Sequence, residues 1–381
     1  MTKKRKIIVT VVGLILALAI AAAWLGYTVI KSATPRDVEP DAIIQGVNFV
    51  GIYVDDVDAA EAYYASSVGT EAVDAPELDP SGLLATFGAN GVSTENDVST
   101  EDVAQDDEGD TARPSSRLIR SSNAQLWLMS SANRSESGAK ASAVPVNGTG
   151  IAHVCFQVAR ETDAYAKMVD AGASTIGSPE LVHLNPGNPV YYGYLADRYG
   201  IITEVEEVDV AALDLPQPPT NKYRIRHVSL ATPDIDAMID FYSAFLGGQE
   251  PRHAGWLSPF SGETVDQVSG LVGSELEMAW FQIRNLELEI FQYHSHLPER
   301  LSEPRPLDAP GYNMIVLDVS DLDAARKRFI DAGGELVAGP ESFAGGLAIY
   351  GRDPDGNLLV LHKVAGSSPF SAKNFADNGA N

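Results

Sequence analysis

Cysteine and basic residues are both scarce in this chain of 381 residues. The single cysteine, Cys155, excludes an intramolecular disulfide and also a zinc cluster built from cysteines. Lys and Arg number 27 against 52 Asp and Glu, which gives a formal net charge of −25 at pH 7. Because nucleic acid phosphates are bound through Lys and Arg, this charge argues against a nucleic acid partner. It keeps a protein soluble and is also typical of adaptation to a salty medium.

The chain is long enough for about two domains of roughly 150 residues each, with additional segments. One long apolar run, from Ile7 to about Ile30, follows four basic residues: Lys3, Lys4, Arg5 and Lys6. The run exceeds the apolar core of a secretory signal, about 7–15 residues, and reaches the roughly 20 residues that a spanning helix needs. We therefore predict that residues 1–31 form a basic cytoplasmic start and one transmembrane helix that remains as an anchor. A signal cleaved near Ala21-Ala22-Ala23 is the alternative.

The predicted anchor determines where the rest of the chain lies. With the basic cluster on the cytoplasmic side, everything after residue 31 lies outside the cytoplasm. We therefore expect a single-pass membrane protein whose globular part is periplasmic or at the cell surface, and a cleaved signal would export it too. Residues 32–45 are predicted to be a linker.

Four short acidic segments repeat along the chain, and each follows an apolar run that is typical of a strand. The segments are DVDA (56–59), ETDA (161–164), DIDA (234–237) and DLDA (321–324). Acidic residues suit helix N-termini, where they accept hydrogen bonds from free N–H groups. Each following amphipathic stretch ends at a glycine, a common left-handed helix stop: Gly69, Gly172, Gly247 and Gly333. The repeats therefore predict four strand–helix units.

Further strand-like runs follow each helix. The last run of each unit is NAQLWLM (123–129), GIITEVEEV (200–208), LELEIFQY (286–293) or GNLLVLHKV (356–364). The pattern predicts an α+β fold of four βαβββ units, with units one and two in residues 46–210 and units three and four in residues 223–365. A proline-rich linker, 211–222, separates the halves. An acidic insert at about 88–114 and a tail at 366–381 are predicted to be loose.

These units resemble the vicinal oxygen chelate (VOC) superfamily, which includes glyoxalase I, methylmalonyl-CoA epimerase, extradiol dioxygenases and fosfomycin-resistance proteins. HVSLATPDIDAMIDFYSAFLGG (227–248) is similar to the family's opening strand and helix, and GRDPDGNLLVLHK (351–363) to its closing turn and strand. AHVCFQV (152–158) with ADRYGIITEVEE (196–207) is a looser pair. The resemblance covers roughly residues 46–364 and implies two glyoxalase-like VOC domains. It is less specific for the reaction, because this fold hosts many chemistries.

In VOC proteins each unit offers one ligand position in its first strand and one in its last, and two units enclose one metal. Carried over to this sequence, the positions of units two and three hold His153, Glu204, His227 and Glu289. Those of units one and four hold Phe49, Gln125, Met314 and Val360. If unit two faces unit three, as in a fused glyoxalase I, the chain has one His2Glu2 site and one blank pseudo-site. If each half closes on itself, each site has only one histidine and one glutamate.

The resemblance therefore implies one divalent metal ion and no organic cofactor. Two imidazoles and two carboxylates suit Zn, Ni, Co, Mn or Fe(II). Glu289 favours a bound metal independently, because a carboxylate inside an apolar strand costs several kcal/mol unless it is paired or coordinated.

Strand alternation places further side chains on the same face as the ligands. We predict that a substrate cavity is lined by one thiol and four aromatic rings: Cys155, Tyr192, Tyr194, Phe291 and Tyr293. The alternative for these residues is ordinary core packing.

The reaction that the resemblance implies is that of a glyoxalase I-like or epimerase-like lyase or isomerase. The metal would bind two vicinal oxygens of a small substrate and stabilise an enediolate, with Glu204 or Glu289 as the catalytic base. Two alternatives are an extradiol-type Fe(II) dioxygenase and a non-catalytic small-molecule binding or resistance protein. A location outside the cytoplasm argues against a glutathione adduct as the substrate. Four units in one chain could complete the fold as a monomer.

Overall fold

The computed structural model describes residues 42–88, 115–216 and 221–375. The predicted anchor (1–31) lies outside these residues, as do residues 32–41 of the predicted linker and 89–114 of the acidic insert. The last two linker residues, 44 and 45, already belong to the first strand. Within the described ranges, no helix is long and apolar enough to cross a membrane.

Units one and two each begin with a long buried strand. Unit one consists of β1 (Ile44–Tyr53), α1 (Val57–Val68), β2 (Glu71–Val73), α2 (Pro80–Phe87), β3 (Ser115–Arg120), β4 (Gln125–Ser130) and α3 (Glu136–Lys140). Unit two consists of β5 (Gly150–Ala159), α4 (Ala164–Asp170), β6 (Ser174–Ile176), β7 (Val190–Ala196) and β8 (Ile202–Val208). Both follow the predicted βαβββ order, to which unit one adds α2 and α3.

Units three and four repeat the same order. Unit three consists of β9 (Tyr223–Ala231), α5 (Ile235–Phe245), β10 (Arg252–Ala254), β11 (Phe260–Ser261), α6 (Glu263–Ser269), β12 (Glu275–Ile283) and β13 (Leu286–Tyr293). Unit four consists of β14 (Gly311–Val319), α7 (Leu322–Asp331), β15 (Glu335–Phe343), β16 (Gly346–Arg352) and β17 (Leu358–Lys363). Unit three adds β11 and α6 between its second and third main strands.

The four units form two sheets, and each sheet joins one unit from each half of the chain. Sheet A has the order β15-β16-β17-β14-β1-β4-β3-β2, which combines units four and one. Sheet B has the order β10-β12-β13-β9-β5-β8-β7-β6, which combines units three and two, with β11 beside β12. In both sheets the two central first strands pair antiparallel. The predicted pairing of unit two with unit three is therefore confirmed, and among the described residues no strand of unit one pairs with unit two and none of unit three with unit four.

The acidic repeats precede a helix in all four units, and in three of them an aspartate side chain caps that helix. Asp56, Asp234 and Asp321 each accept a hydrogen bond from the backbone N–H three residues later. In unit two, ETDA falls partly in a 3-10 turn, and Asp163 at the start of α4 makes no side-chain cap bond. The left-handed Asp163 backbone, with φ of 52°, replaces the extended conformation of an ordinary cap.

The main core lies on the helix side of both sheets. It includes residues from α1, α4, α5 and α7 together with one face of the central strands. The two sheets differ in the chemistry of the face that points away from the helices. On sheet B it carries the four predicted ligands, and we call it the ligand face. On sheet A it is covered by a second apolar cluster, and we call it the apolar face.

The tail beyond Ala365, which we predicted to be loose, packs on sheet A as far as Phe375. Phe370 is 1% exposed and its ring lies 6.2 Å from that of Phe49. Ser371 donates a hydrogen bond to Asp318 at 2.6 Å. The prediction was wrong here because isolated phenylalanines in a Ser/Ala-rich segment show no periodic pattern, although they bury well against an existing sheet.

Candidate metal centre

Four neighbouring strands at the middle of sheet B carry the predicted ligands. His153 on β5 lies opposite Ser229, two residues from His227 on β9. Glu204 and Glu289 come from β8 and β13, which pair in parallel with β5 and β9 on either side. The pairing across the two halves therefore brings one histidine and one glutamate from each half to the same place.

The four side chains converge in the interior. His227 Nε2 lies 2.8 Å from Glu204 Oε2 and 3.5 Å from Glu289 Oε2. His153 Nε2 lies 3.3 Å and 3.6 Å from the same two oxygens. All four ligand atoms lie within 4.8 Å of one another, and none of the side chains is more than 8% exposed.

The donor set fits a divalent cation. His153 Nε2 is buried and makes no well-formed hydrogen bond among the described residues, although it points at two carboxylate oxygens. Two buried carboxylates at one point need a compensating positive charge. Imidazole nitrogen with carboxylate oxygen suits first-row divalent metals. The residues present can therefore hold one metal ion.

Without a metal, the site holds a proton instead. Burial tends to lower the pKa of His153, but the adjacent Glu204 and Glu289 carboxylates outweigh it and raise that pKa to about 9. Burial tends to raise the pKa of both carboxyls, but the two imidazoles outweigh it and the net pKa shift is downward for both. A proton shared at His153 then supplies the positive charge that a metal would bring.

The two glutamates have different neighbours. Glu289 lies opposite Ser229, whose Oγ donates a hydrogen bond to Glu289 Oε2 at 2.6 Å. Glu204 lies opposite Cys155 at the equivalent register. The thiol is buried and burial raises its pKa well above the usual range, so Cys155 gives Glu204 no comparable hydroxyl anchor.

The blank pseudo-site on sheet A is confirmed, with one correction to its residues. By register, Gly51 lies opposite Trp127 as Cys155 lies opposite Glu204. The position equivalent to Glu204 is therefore Trp127 and not Gln125, which we assigned to it from the sequence. Strand register cannot be read from chain spacing when the connecting loops differ in length. Since tryptophan binds no divalent metal, the correction leaves this site blank.

An open cavity of about 440 Å³ extends from the metal centre. Tyr192, Tyr194 and Tyr293 line it, as predicted. Cys155 and Phe291 do not, and this part of the prediction was wrong. The Cys155 thiol is buried with its sulfur within 4.8 Å of ligand atoms of Glu204, Glu206 and His227. The Phe291 ring packs on His153 at 5.6 Å inside a small apolar cluster.

Two cationic residues and one indole at the cavity wall were not predicted: Arg226, Arg252 and Trp280. Glu206, two residues after Glu204 on β8, also lines the cavity. The sequence signal for these residues is the set of charged positions within strand-like runs, such as TEVEE (203–207) and YRIRH (223–227). Buried charges in strands are uncommon unless they are paired.

A second pair of histidines lies outside this cavity. His253 and His294 contact different oxygens of Glu277, each at 2.7 Å. They line a separate open pocket together with Trp256. This pair offers a comparison for the metal centre, because it is half-buried and solvent can replace its contacts.

The sequence matches the family model of the glyoxalase/bleomycin resistance protein/dioxygenase superfamily over residues 46–204 and 224–361. No curated protein sequence matches the chain significantly. Among solved structures, glyoxalase I from Zea mays superimposes with a TM-score of 0.54 at 14% identity, over 84% of this chain and 92% of the maize chain. A putative dioxygenase from Bacillus subtilis gives a TM-score of 0.51 at 10% identity, over 89% and 91% of the two chains. At these identities the likeness concerns the fold.

Proposed function

We propose that this chain, which belongs to the glyoxalase/bleomycin resistance protein/dioxygenase superfamily, is a metal-dependent lyase or isomerase. Its substrate would be a small molecule with two vicinal oxygens. The observation that carries the proposal is the buried convergence of two imidazoles and two carboxylates within 4.8 Å of one another. Zn, Ni, Co, Mn or Fe(II) suits this donor set.

The proposed reaction moves a proton between two neighbouring carbons of the substrate. A bound divalent cation would polarise the substrate oxygens as a Lewis acid and acidify the adjacent C–H. One carboxylate oxygen of Glu204 takes this proton and delivers it to the neighbouring carbon, while the hydroxyl proton of the substrate passes to the former carbonyl oxygen. In the metal-free protein Glu204 Oε2 lies 3.3 Å and 2.8 Å from Nε2 of His153 and His227, which places this carboxylate at the candidate metal centre.

Glu204 is the better base of the two glutamates because Glu289 is anchored. The Ser229 hydroxyl at 2.6 Å holds Glu289 in one orientation and stabilises its charge. Glu204 has the buried Cys155 thiol opposite it in place of a hydroxyl, and its contacts with the two imidazole nitrogens would be released when those nitrogens bind a cation. Glu289 would therefore remain a ligand throughout while Glu204 carries the proton.

The set of four ligands favours this reaction over ring cleavage by an Fe(II) dioxygenase. That chemistry uses two histidines and one carboxylate, and leaves three positions open for oxygen and a catechol. A fourth protein ligand takes one of these positions. A binding protein without catalysis would use the same cavity and differ only in lacking turnover.

Metal content is the first test of the proposal. The full chain, His153→Ala, His227→Ala and His294→Ala would be loaded with Zn²⁺ or Co²⁺, dialysed and measured by elemental mass spectrometry. We expect about one metal per chain in the parent and in His294→Ala, and almost none in the other two variants. No metal in the parent, or loss in only one of the two site variants, would contradict a site shared between units two and three.

Proton exchange tests the reaction class. We expect the metal-loaded chain to incorporate deuterium from D2O beside the carbonyl of a small 2-hydroxyketone, as read by NMR, and Glu204→Gln to abolish this while keeping most of the metal. Oxygen uptake with catechols would instead identify a dioxygenase. If the metal-loaded chain showed neither proton exchange nor oxygen uptake, the result would identify a binding protein.

We also propose that residues 1–31 anchor the protein in a membrane with its globular part outside the cytoplasm. The long apolar run behind four basic residues supports this location. The substrate would then be an extracytoplasmic small molecule, since glutathione adducts belong mainly to the cytoplasm. Protease protection of the globular part in spheroplasts, in which the outside of the inner membrane is accessible, would contradict it.

A further inference from the structure

The cavity has a second charged end, which the four metal ligands do not use. Five charged side chains lie at or next to this end, and we call them the guanidinium cluster: Arg224, Arg226, Arg252, Glu206 and Glu287. Glu206 follows Glu204 by two residues on β8, so this end lies roughly 7 Å along the strand from the metal centre. Arg226, Arg252 and Glu206 line the same cavity as Glu204 and Glu289.

Arg226 reaches the cavity because β9 contains an extra residue at this point. Its neighbours Ile225 and His227 pair with consecutive residues of β5, which leaves Arg226 with no partner across the strands. A bulge of this kind breaks the alternation of faces and redirects the side chain. The guanidinium consequently contacts Glu206 and lies 3.4 Å from Glu287.

Arg252 approaches the same cluster from the edge strand β10. Its terminal nitrogen lies 3.0 Å from Glu287, and its guanidinium stands 4.5 Å from the ring centre of Trp280. Two donors on this wall, Arg252 Nε and Trp280 Nε1, are buried and have no hydrogen-bond partner among the described residues. A hydrogen-bond donor that has no partner at a cavity wall can bind an acceptor atom of a ligand.

The cluster carries more positive than negative charge. Of the charged side chains that line this end of the cavity, two are guanidiniums, Arg226 and Arg252, and one is a carboxylate, Glu206. Burial and the adjacent Arg226 lower the pKa of Arg224, as expected for cations held close together. At the other end, a divalent cation would balance Glu204 and Glu289. The loaded cavity therefore has an excess positive charge in a protein whose net charge is −25.

We propose that the substrate of this site carries an anionic group, a carboxylate, which binds at Arg252 and Arg226 roughly 7 Å from its chelating oxygens. The inference rests on the proposed function, because it assumes that the other end of the substrate binds a metal. It adds a substrate class, namely small acids with vicinal oxygens at the far end.

Two matched hydroxamates test this inference by binding alone. Hydroxamates chelate metals through two neighbouring oxygens, and adipic acid monohydroxamate differs from hexanohydroxamate only by a carboxylate in place of the terminal methyl. Titration of the Co²⁺-loaded full chain would be followed by calorimetry and by the visible cobalt spectrum. We expect the acid to bind about tenfold or more tightly than the neutral probe, as for a charge-assisted contact. Arg252→Gln should reduce this preference to within about threefold and leave the affinity for the neutral probe unchanged.

The control variant is Arg198→Gln, which removes one exposed guanidinium far from the cluster and should keep the full preference. Cobalt stoichiometry and circular dichroism verify that the variants are folded, and Glu287 keeps Arg226 as a partner when Arg252 is replaced. Equal binding of both probes, or a preference that persists in Arg252→Gln, would overturn the inference and leave the metal site intact. If neither probe alters the cobalt spectrum, the proposed function itself fails, and this inference fails with it.

Discussion

The two sheets share one strand order and have opposite chemistry on equivalent faces. On the ligand face of sheet B, the four positions hold two histidines and two glutamates next to an open cavity. On the apolar face of sheet A, they hold Phe49, Trp127, Met314 and Val360, each 0% exposed. Duplicated backbones therefore provide the geometry of a site, but the side chains decide whether a site or a core forms.

What covers each face reinforces this difference. Phe87 from α2, Phe343 from β15 and Phe370 from the tail pack over the apolar face beside Phe49 and Trp127. On sheet B the corresponding space stays open, although α6 contributes part of the cavity wall. The apolar face thus stabilises the molecule by close packing, while the ligand face retains buried charges that need a cation.

A glutamate placed on the apolar face should fail to create a site. In Trp127→Glu, the carboxylate would occupy the position equivalent to Glu204, but the positions equivalent to His153 and His227 hold Phe49 and Met314 in place of imidazoles. We expect a loss of more than about 4 kcal/mol in the free energy of unfolding, or no folded protein. Urea unfolding and the soluble yield would measure this. The control Trp127→Phe should cost only roughly 1–2 kcal/mol, and a stable Trp127→Glu protein would contradict our account of this face.

Ser229 and Cys155 occupy equivalent positions and allow a finer comparison within the ligand face. Ser229→Ala removes the hydroxyl that holds Glu289, and we expect metal affinity to fall about 10–100-fold. Cys155→Ala should change metal affinity by less than about threefold, because no hydrogen bond to Glu204 is lost. Competition with a chromogenic chelator measures both values. Equal effects would mean that the thiol positions Glu204 as the hydroxyl positions Glu289.

The features that could be predicted from the sequence are those that recur in several of the four units. The capped helix starts and glycine stops recur, so the unit boundaries and the strand that carries each ligand could be identified. The quartet His153, Glu204, His227 and Glu289 followed once the units were aligned. The pairing of unit two with unit three could be predicted because only these two units have metal-binding side chains at both ligand positions, in the first strand and in the last. The structure agrees with this pairing.

Features that occur once could not be read in this way. Arg226 enters the cavity through a bulge, and a bulge shifts alternation by one residue without leaving a distinctive sequence. Phe291 has the alternation of a cavity residue but is covered by Val144 and its neighbours from a distant segment. The tail around Phe370 contacts strands that are more than fifty residues away in the chain, through Asp318 and Phe49. Each of these depends on tertiary packing that no local pattern records.

Two buried histidines, one on each sheet, should give opposite pH dependences of stability. His153 lies between two carboxylates, and its pKa is raised to about 9. His362 on sheet A contacts the Asn48 amide and the Phe343 carbonyl. Burial there outweighs the carbonyl hydrogen bond and lowers the pKa of His362 to about 4. The unfolded chain has a histidine pKa of about 6.5 in both cases.

The signs follow from proton linkage in the metal-free protein. The contribution of His153 is complete below about pH 6.5 and is lost as the pH rises towards 9, whereas that of His362 is complete above about pH 6.5 and is lost as the pH falls towards 4. Each slope is at most about 1.4 kcal/mol per pH unit. Urea unfolding in the presence of a chelator from pH 4 to 9 would measure both. His153→Gln should flatten the slope above pH 6.5, and His362→Gln the slope below it. If His153→Gln flattened the slope of stability below pH 6.5, or His362→Gln the slope above it, the two histidines would not have the opposite pKa shifts that their surroundings imply.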